Sequence, residues 1–275
     1  MKSNGHWKKL VLLVNLFFLL VPVVKAQYQL ETYSMGTYWI IRADFQNQSF
    51  HKSSLDKKVI SVLQQYDSTF SDWRDNSELG KLLPHMTKWQ KSSSLFQQGL
   101  LFSKYFYKMS DQYFDITVGA VLKNLRKEPI GLNHLKIKNN MFRFTKHPAH
   151  LTFNGFVKGM AIGQIVKEFE KLNIKNYFID GGGGNIALKG ERWGVFHSYN
   201  LKKSDSTYFI SKSALFQGKR KHIIGDNEST QIVSTTICEL KKDPVFTGAL
   251  SDALSTLRIL TKNIADDLSK ECIVI

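Results

Sequence analysis

Asp252, Ser255 and Thr256 stand in the stretch A-L-S-D-A-L-S-T-L-R-I-L, Ala249 to Leu260. At about 3.6 residues per turn Asp252 and Thr256 lie one above the other with Ser255 beside them, and Leu250, Leu254 and Leu257 fall on the opposite side. A solvated helix face usually carries Lys, Glu or Arg. A carboxylate with two hydroxyls is instead a set of hard oxygen donors suited to Mg²⁺. The same letters suit a helix buried on both sides, because Ser and Thr are common in tightly packed helices. From this stretch alone both readings stand.

A second candidate is N-G-F-V-K-G-M-A-I-G. Gly155 and Gly159 bracket a turn into a helix, where free backbone amides and the positive helix end favour an anion, and Lys158 adds a formal charge. A diphosphate suits this place, and so does a solvated Lys beside a packing Gly. Y-F-D-I-T-V-G supplies Asp115, and His222 opens H-I-I-G-D; each is either a structural polar residue or a titratable group for chemistry. The run Gly181 to Gly184 fails the dinucleotide fingerprint, because Ile186 takes the place of the last Gly and no helix follows. What survives is a tight hairpin turn or a close approach of backbone to a ligand.

The elements that must position these residues follow from periodicity. Helical spacing runs from Ser54 to Tyr66, from Leu95 to Met109, through the Gly159 segment to Leu172, and over Ala249 to Leu260. Asn76 or Ser77 caps a short helix ahead of Glu78. Strands are expected at Y-W-I-I-R-A, L-T-F, N-Y-F-I-D, I-A-L-K-G and R-W-G-V-F-H-S-Y, and around Tyr208 to Ser211, His222 to Ile224 and Gln231 to Cys238. Q-Y-F-D-I-T-V-G-A-V-L is expected to be a strand end turning into a helix. Helices gathered against a mostly antiparallel sheet place the chain in the α+β class.

The chain opens M-K-S-N-G-H-W-K-K, continues as L-V-L-L-V-N-L-F-F-L-L-V-P-V-V and closes with K-A before Gln27. A basic start, a short apolar run and small residues at Val24 and Ala26 predict a signal peptide over residues 1–26, cleaved after Ala26. One domain, residues 27–275, is expected to remain and to work outside the cytoplasm. The formal charge of +15 drops to +11 without Lys2, Lys8, Lys9 and Lys25. Such a surplus attracts phosphorylated ligands, acidic proteins or a membrane surface, to which peripheral association is expected. No arm or helix concentrates the basic residues with aromatics, which argues against nucleic acid. Cys238 and Cys272, the two cysteines, permit one disulfide or two free thiols and exclude a cysteine-built zinc site.

Taken in order, M-G-T from Met35, S-D-W-R-D-N-S-E-L, Y-F-D-I-T-V-G, F-N-G-F-V-K-G-M-A, I-D-G-G-G-G-N-I, K-H-I-I and S-D-A-L-S-T form a series that resembles the FAD:protein FMN transferases, the ApbE family. The resemblance covers almost the whole chain after the leader. It implies a single T-fold-like α+β domain and an exported enzyme, periplasmic or facing the periplasm. That enzyme would split FAD, release AMP and join FMN to a Thr or Ser of an acceptor flavoprotein, a subunit of an electron-transfer system. By the family pattern Met35, Trp73, Tyr113, Phe114, Asp115, Lys158 and Ile224 would line the FAD site, Trp73 standing where Tyr is commoner. Mg²⁺ would be held by the Gly155 carbonyl with Asp252, Thr256 and Ser255, and His222 would act as base or positioning group.

The chain departs from the family pattern in places. K-H-I-I continues as G-D-N-E-S where the family has D-P-x-T-G, Thr152 and Gly163 replace frequent acids, and the sequence ends at Ile275 where relatives tend to continue. These departures leave two alternatives: a Mg²⁺-dependent FAD pyrophosphatase that uses water, and an extracytoplasmic flavin-binding protein without turnover.

Overall fold

Alternation along Thr37–Asp44 sends Trp39, Ile41 and Ala43 to one side, where all three are buried, and Tyr38, Ile40 and Arg42 to the other. This strand, β2, pairs antiparallel with β1, Gln27–Ser34, through a two-residue turn at Met35 and Gly36. Both turn residues have positive φ, 52° and 74°, the type I′ geometry whose twist matches the flanking strands. The computed structural model describes residues 27–45, 51–123, 125, 129–190, 193, 201, 203, 205–214, 233–241, 243–260 and 272–274.

The hairpin is one edge of a seven-stranded antiparallel sheet. Beyond β2 come β6 (Asn176–Gly181), β7 (Asn185–Lys189), β8 (Thr207–Ala214), β9 (Val233–Glu239) and β10 (Cys272–Val274). Strands β3 (Gln90–Lys91), β4 (Leu135–Lys138) and β5 (Met141–Phe144) form a separate small sheet in the order β3-β5-β4.

The inner face of the large sheet, with Tyr177, Ile179, Ala187, Phe209 and Cys238, joins one main core with the helices. Ile186, Leu188, Tyr208, Ile210 and Ile237 make a second, smaller cluster with Trp193. Since side chains of period two alternate between faces, this cluster lies on the other side of the sheet.

Helix α1, Lys52–Phe70, buries Leu55, Val59, Leu63, Tyr66 and Phe70, the spacing of one helical stripe. Helix α2, Glu78–Leu82, starts at Ser77, whose hydroxyl accepts from the Gly80 amide at 2.9 Å. Helix α3, Ser94–Met109, is capped in the same way by Ser93, and Glu78 binds the Ser93 amide and hydroxyl, each at 2.6 Å. Then come the short α4, Gly119–Leu122, and two long helices, α5 (Val157–Lys171) and α6 (Pro244–Leu260), which lie together against the inner face.

The architecture is α+β, as the element pattern predicts. Two expected strands are absent. Residues 151–153 run straight into the turn before α5, and their described ladder contact is a single bond from the Thr152 amide to the Ile116 carbonyl. Residues 113–115 form no strand, and 116–122 form a 3₁₀ turn and α4, because Asp115 caps them as a helix start. The periodicity also missed the edge strands β1 and β10 and the small sheet, whose strands are too short or too solvated on one side to show a pattern. Cys238 and Cys272 face each other across β9 and β10 and are joined as a disulfide, Cα to Cα 4.2 Å. The expected leader, most of R-W-G-V-F-H-S-Y, and His222 to Ile224 lie outside the described residues.

Candidate functional site

Helix α5 begins without a side-chain cap of its own, since Phe156 holds the capping position. The missing acceptor comes from α6: the amide of Gly159 donates to Asp252 Oδ2 at 3.2 Å. A carboxylate at a helix N-terminus satisfies an otherwise orphaned amide and lies along the favourable direction of the helix dipole.

Glycine makes the approach possible. A Cβ on Gly159 would collide with the Gly248 carbonyl and lie 2.9 Å from Asp252 Cβ, and one on Gly248 would collide with the Gly159 carbonyl. One turn further on, a Cβ on Gly163 would collide with the Pro244 carbonyl. The two helix backbones therefore touch where a side chain would hold them apart. Position 163 therefore has no room for a side chain, the acid that the family resemblance leads one to expect included.

Asp252 is 5 % exposed. Burial pushes its carboxyl up to about 7, against the opposing pull of the Lys158 ammonium, the Gly159 amide and the Asn185 side chain. Thr256, one turn along α6, is half-buried and faces Gly155: a Cβ on Gly155 would lie 3.7 Å from Thr256 Cγ2. Gly155 also backs on to the Phe114 ring, at 2.8 Å from that same hypothetical Cβ. The fold thus unites Gly155, Lys158, Gly159, Asp252 and Thr256, which the sequence places in two distant segments.

Ser255 does not join them through any described contact. It is fully buried, and its hydroxyl donates to the Ser234 carbonyl on β9 at 3.2 Å. Phe114 is buried, edge-on to Phe106 with centroids 5.6 Å apart, so it serves as wall and core at once. Asp115 caps the 3₁₀ turn by accepting from the Thr117 amide at 2.8 Å. Burial raises its carboxyl, and the Thr117 hydrogen bonds oppose that rise.

Tyr113 and Trp73 are 60 % and 78 % exposed, free to present rings to a ligand. One face of Trp73 is covered by the Lys123 ammonium, 2.9 Å from the ring centroid, and Lys123 also donates to the Asp72 carbonyl at 3.1 Å. Met35 sits in the β1–β2 turn, partly buried against the core. The neighbouring Thr37 abuts Gly182 in the β6–β7 turn, where a Cβ would collide with the Thr37 hydroxyl. Gly182 and Gly183 have φ of 79° and 71°, and Asp180 ties the turn by accepting from the Gly183 amide at 2.6 Å. The glycine run is therefore a hairpin turn closely packed by the first hairpin. His222 and Ile224 lie outside the described residues.

Sequence reasoning missed several polar residues around these. Asp72 faces His150 at 3.6 Å, with its side chain 4 % exposed. Asn185, Ser211 and Ser251 form a buried polar chain beside Asp252. Asn185 had a signal, its place at the end of the glycine turn; the two serines had none.

A site with one buried carboxylate, a threonine and a glycine backbone offers oxygen donors alone, the chemistry of Mg²⁺ rather than of a soft metal. Among the described residues there is no cluster of three or more His, Cys, Asp or Glu, so a cation here would rely on that mixed oxygen set and on its ligand.

Fold and site define an α+β protein that sets an acidic oxygen site against the amide end of a helix. A sequence model of the ApbE family matches residues 35–216, so the chain belongs to the ApbE family. Solved structures with a similar fold include the following three. The flavin transferase ApbE from Vibrio cholerae matches with a TM-score of 0.71 at 16 % identity, over 91 % of this chain and 93 % of that one. The apo Pseudomonas stutzeri flavinyl transferase ApbE matches at 0.67 and 16 %, over 85 % and 86 %. The Thermotoga maritima ApbE protein matches at 0.62 and 15 %, over 90 % and 93 %. No protein of curated function matches the sequence.

Proposed function

We propose that the chain is a Mg²⁺-dependent FAD:protein FMN transferase that moves FMN from FAD to a Thr or Ser hydroxyl of an acceptor flavoprotein and releases AMP. The observation that carries this reading is the convergence of Asp252 and Thr256 with Gly155 and the α5 N-terminus, in a chain of the ApbE family. The solved relatives described as flavin transferases share the fold and support the same reading.

Asp252, Thr256 and the Gly155 carbonyl would hold Mg²⁺. When bound, the cation supplies charge neutralisation for a diphosphate under attack. Lys158 and the positive end of the α5 dipole bring further positive potential to the same place. Trp73 and Tyr113 offer exposed rings on which flavin or adenine can stack. In the reaction the acceptor oxygen bonds to the FMN phosphorus, the bond from that phosphorus to the bridging oxygen breaks, and AMP leaves with the bridging oxygen. The acceptor proton is lost, and His222 is the group proposed to take or position it.

The leader predicted over residues 1–26 supports export, with transfer occurring on an electron-transfer subunit that faces the same compartment. The basic surplus suits peripheral association with an anionic membrane surface; among the described residues no helix is long and apolar enough to cross a membrane.

The test combines purified protein, FAD, Mg²⁺ and a flavoprotein subunit from the same source. The expected result is a mass increment of one FMN on a single Thr or Ser, with AMP in equal amount. Free FMN without labelled protein would instead select the pyrophosphatase. FAD retention indifferent to Mg²⁺, without product, would select the binding module.

A further inference from the structure

Asn185 opens β7 immediately after the glycine turn and is 5 % exposed. Ser211, its direct partner on β8, donates from Oγ to Asn185 Oδ1 at 2.8 Å. Ser251 on α6 in turn donates to Ser211 Oγ at 3.0 Å. Both serines are buried, so these bonds have no competition from bulk water.

Each hydroxyl has one proton; that of Ser251 has its shortest acceptor in Ser211 Oγ, with the Phe209 and Thr236 carbonyls farther off at 3.4 and 3.5 Å. Ser211 gives its proton to Asn185, and its lone pair receives from Ser251. With Oδ1 committed as an acceptor, the side-chain nitrogen of Asn185, which can only donate, is the end turned to Asp252. There it opposes the rise that burial imposes on the carboxyl. A flipped amide would set its oxygen against the carboxylate, acceptor facing acceptor, and would take the Oδ1 acceptor away from the Ser211 proton. The Ser211 hydroxyl and the carboxylate therefore agree on which end of Asn185 meets Asp252.

We propose that Asn185 is a positioning residue that, oriented by Ser211 and Ser251, fixes Asp252 for the cation. This rests on the Mg²⁺ reading above. Asp252 Oδ2 is already tied to the Gly159 amide. With Asn185 as a further donor from the sheet side, the carboxylate would be restrained on two sides and its remaining lone pairs left for a ligand near Gly155 and Thr256. Carboxylate ligands held by such partners present a preformed site, and loss of the partner typically weakens metal affinity about 10–100-fold. Packing alone does not account for the arrangement, since apolar residues would fill the same space without the desolvation of four polar side chains.

The experiment titrates Mg²⁺ into the folded full-length mature protein by calorimetry, alone and with FAD, for the wild type and for Asn185→Ala, Ser211→Ala and Ser211→Thr. Asn185→Ala is expected to weaken Mg²⁺ binding roughly 10–100-fold. Ser211→Ala, which never touches Asp252, should weaken it less, and Ser211→Thr, which restores the hydroxyl, should recover it. In transfer assays the Mg²⁺ concentration for half-maximal rate should rise while the rate at saturating Mg²⁺ stays near wild type. Wild-type affinity in both alanine variants overturns the inference and leaves the metal reading intact, as does a loss in Ser211→Ala that Ser211→Thr does not restore. If Asn185→Ala fails to fold, the two Ser211 variants decide. Absence of Mg²⁺ uptake by the wild type in either condition removes the metal reading, and the inference with it.

Discussion

The amide of Gly159 donates to the carboxylate of Asp252 at 3.2 Å, across 93 positions of sequence. The bond does two things: it caps a helix whose own capping residue is Phe156, and it fixes one oxygen of the proposed cation ligand. These roles are separable. Asp252→Asn keeps an acceptor for the amide and nearly the same volume, whereas Asp252→Ala removes both. Both variants should lose at least roughly 100-fold in FMN transfer, since losing a ligand costs no less than losing its partner. Only Asp252→Ala should also lower the melting temperature, by a cap worth about 1 kcal/mol. Rate assays with parallel thermal melts check this, and undiminished transfer by Asp252→Asn would show that the charge is not needed.

Gly159 itself permits a sharper test. The Cβ of Gly159→Ala would fall on the Gly248 carbonyl, so α5 and α6 must separate. Overpacking of this kind costs about 1–3 kcal/mol. Because separation also draws Asp252 from the amide, transfer should fall together with denaturant stability. A stable, fully active Gly159→Ala would contradict the close helix contact.

Asp72 supplies a pH dependence. Burial raises its carboxyl, but the His150 ring, the Lys123 ammonium and Thr152 outweigh this and hold it below the usual carboxylate range. A folded-state value below the unfolded one, about 3.9, means the stabilisation is present above that pH and is lost as pH falls through the folded value. Asp72→Asn should therefore destabilise the protein above the carboxylate range and by progressively less below about pH 4. Urea titrations at a series of pH values read this directly, and a loss that grows toward acid would reverse the sign.

Trp73 is 78 % exposed, with its ring lodged under Lys123. Trp73→Ala should leave the melting temperature nearly unchanged and weaken FAD binding by about 0.5–1.5 kcal/mol, the range of an aromatic contact. Quenching of flavin fluorescence measures that affinity. An unchanged Kd would exclude this ring from the site.

The Cys238–Cys272 bond closes β10 on to β9 over a sequence separation of 34. A loop of that length implies roughly 3–4 kcal/mol of stabilisation from the restricted unfolded chain. The double serine variant should melt lower by that margin, and both thiols should resist alkylation in the native protein until a reductant is added. Ready alkylation without reductant would show that the bond does not form.

Much of the fold was legible in the chain because its signals are local. Helical stripes in Lys52–Phe70 and Ser94–Met109, the Ser77 cap and the alternation of β2 and β6 each need only a few neighbours to be read. The missed elements lack such a signal. Gln90–Lys91 and Cys272–Val274 are too short for a period, and 151–153 is apolar enough for a strand but pairs with none among the described residues.

The site divides in the same way. The sequence alone determined the donors and their chemistry: Asp252 and Thr256 on one helical face, Lys158 and glycines at a helix start, and the order of motifs that resembles the ApbE family. Tertiary structure alone decided their partners. Ser255 and Thr256 are neighbours with equal claims by type, yet Ser255 turns to the Ser234 carbonyl and Thr256 toward Gly155. Likewise, nothing local marks Ser211 or Ser251 as support for Asp252. A side chain's type is written in the sequence, whereas the groups it meets depend on which backbones can approach. Here glycines at 159, 163 and 248 let two helices touch, and that contact brings Asp252 to the Gly159 amide.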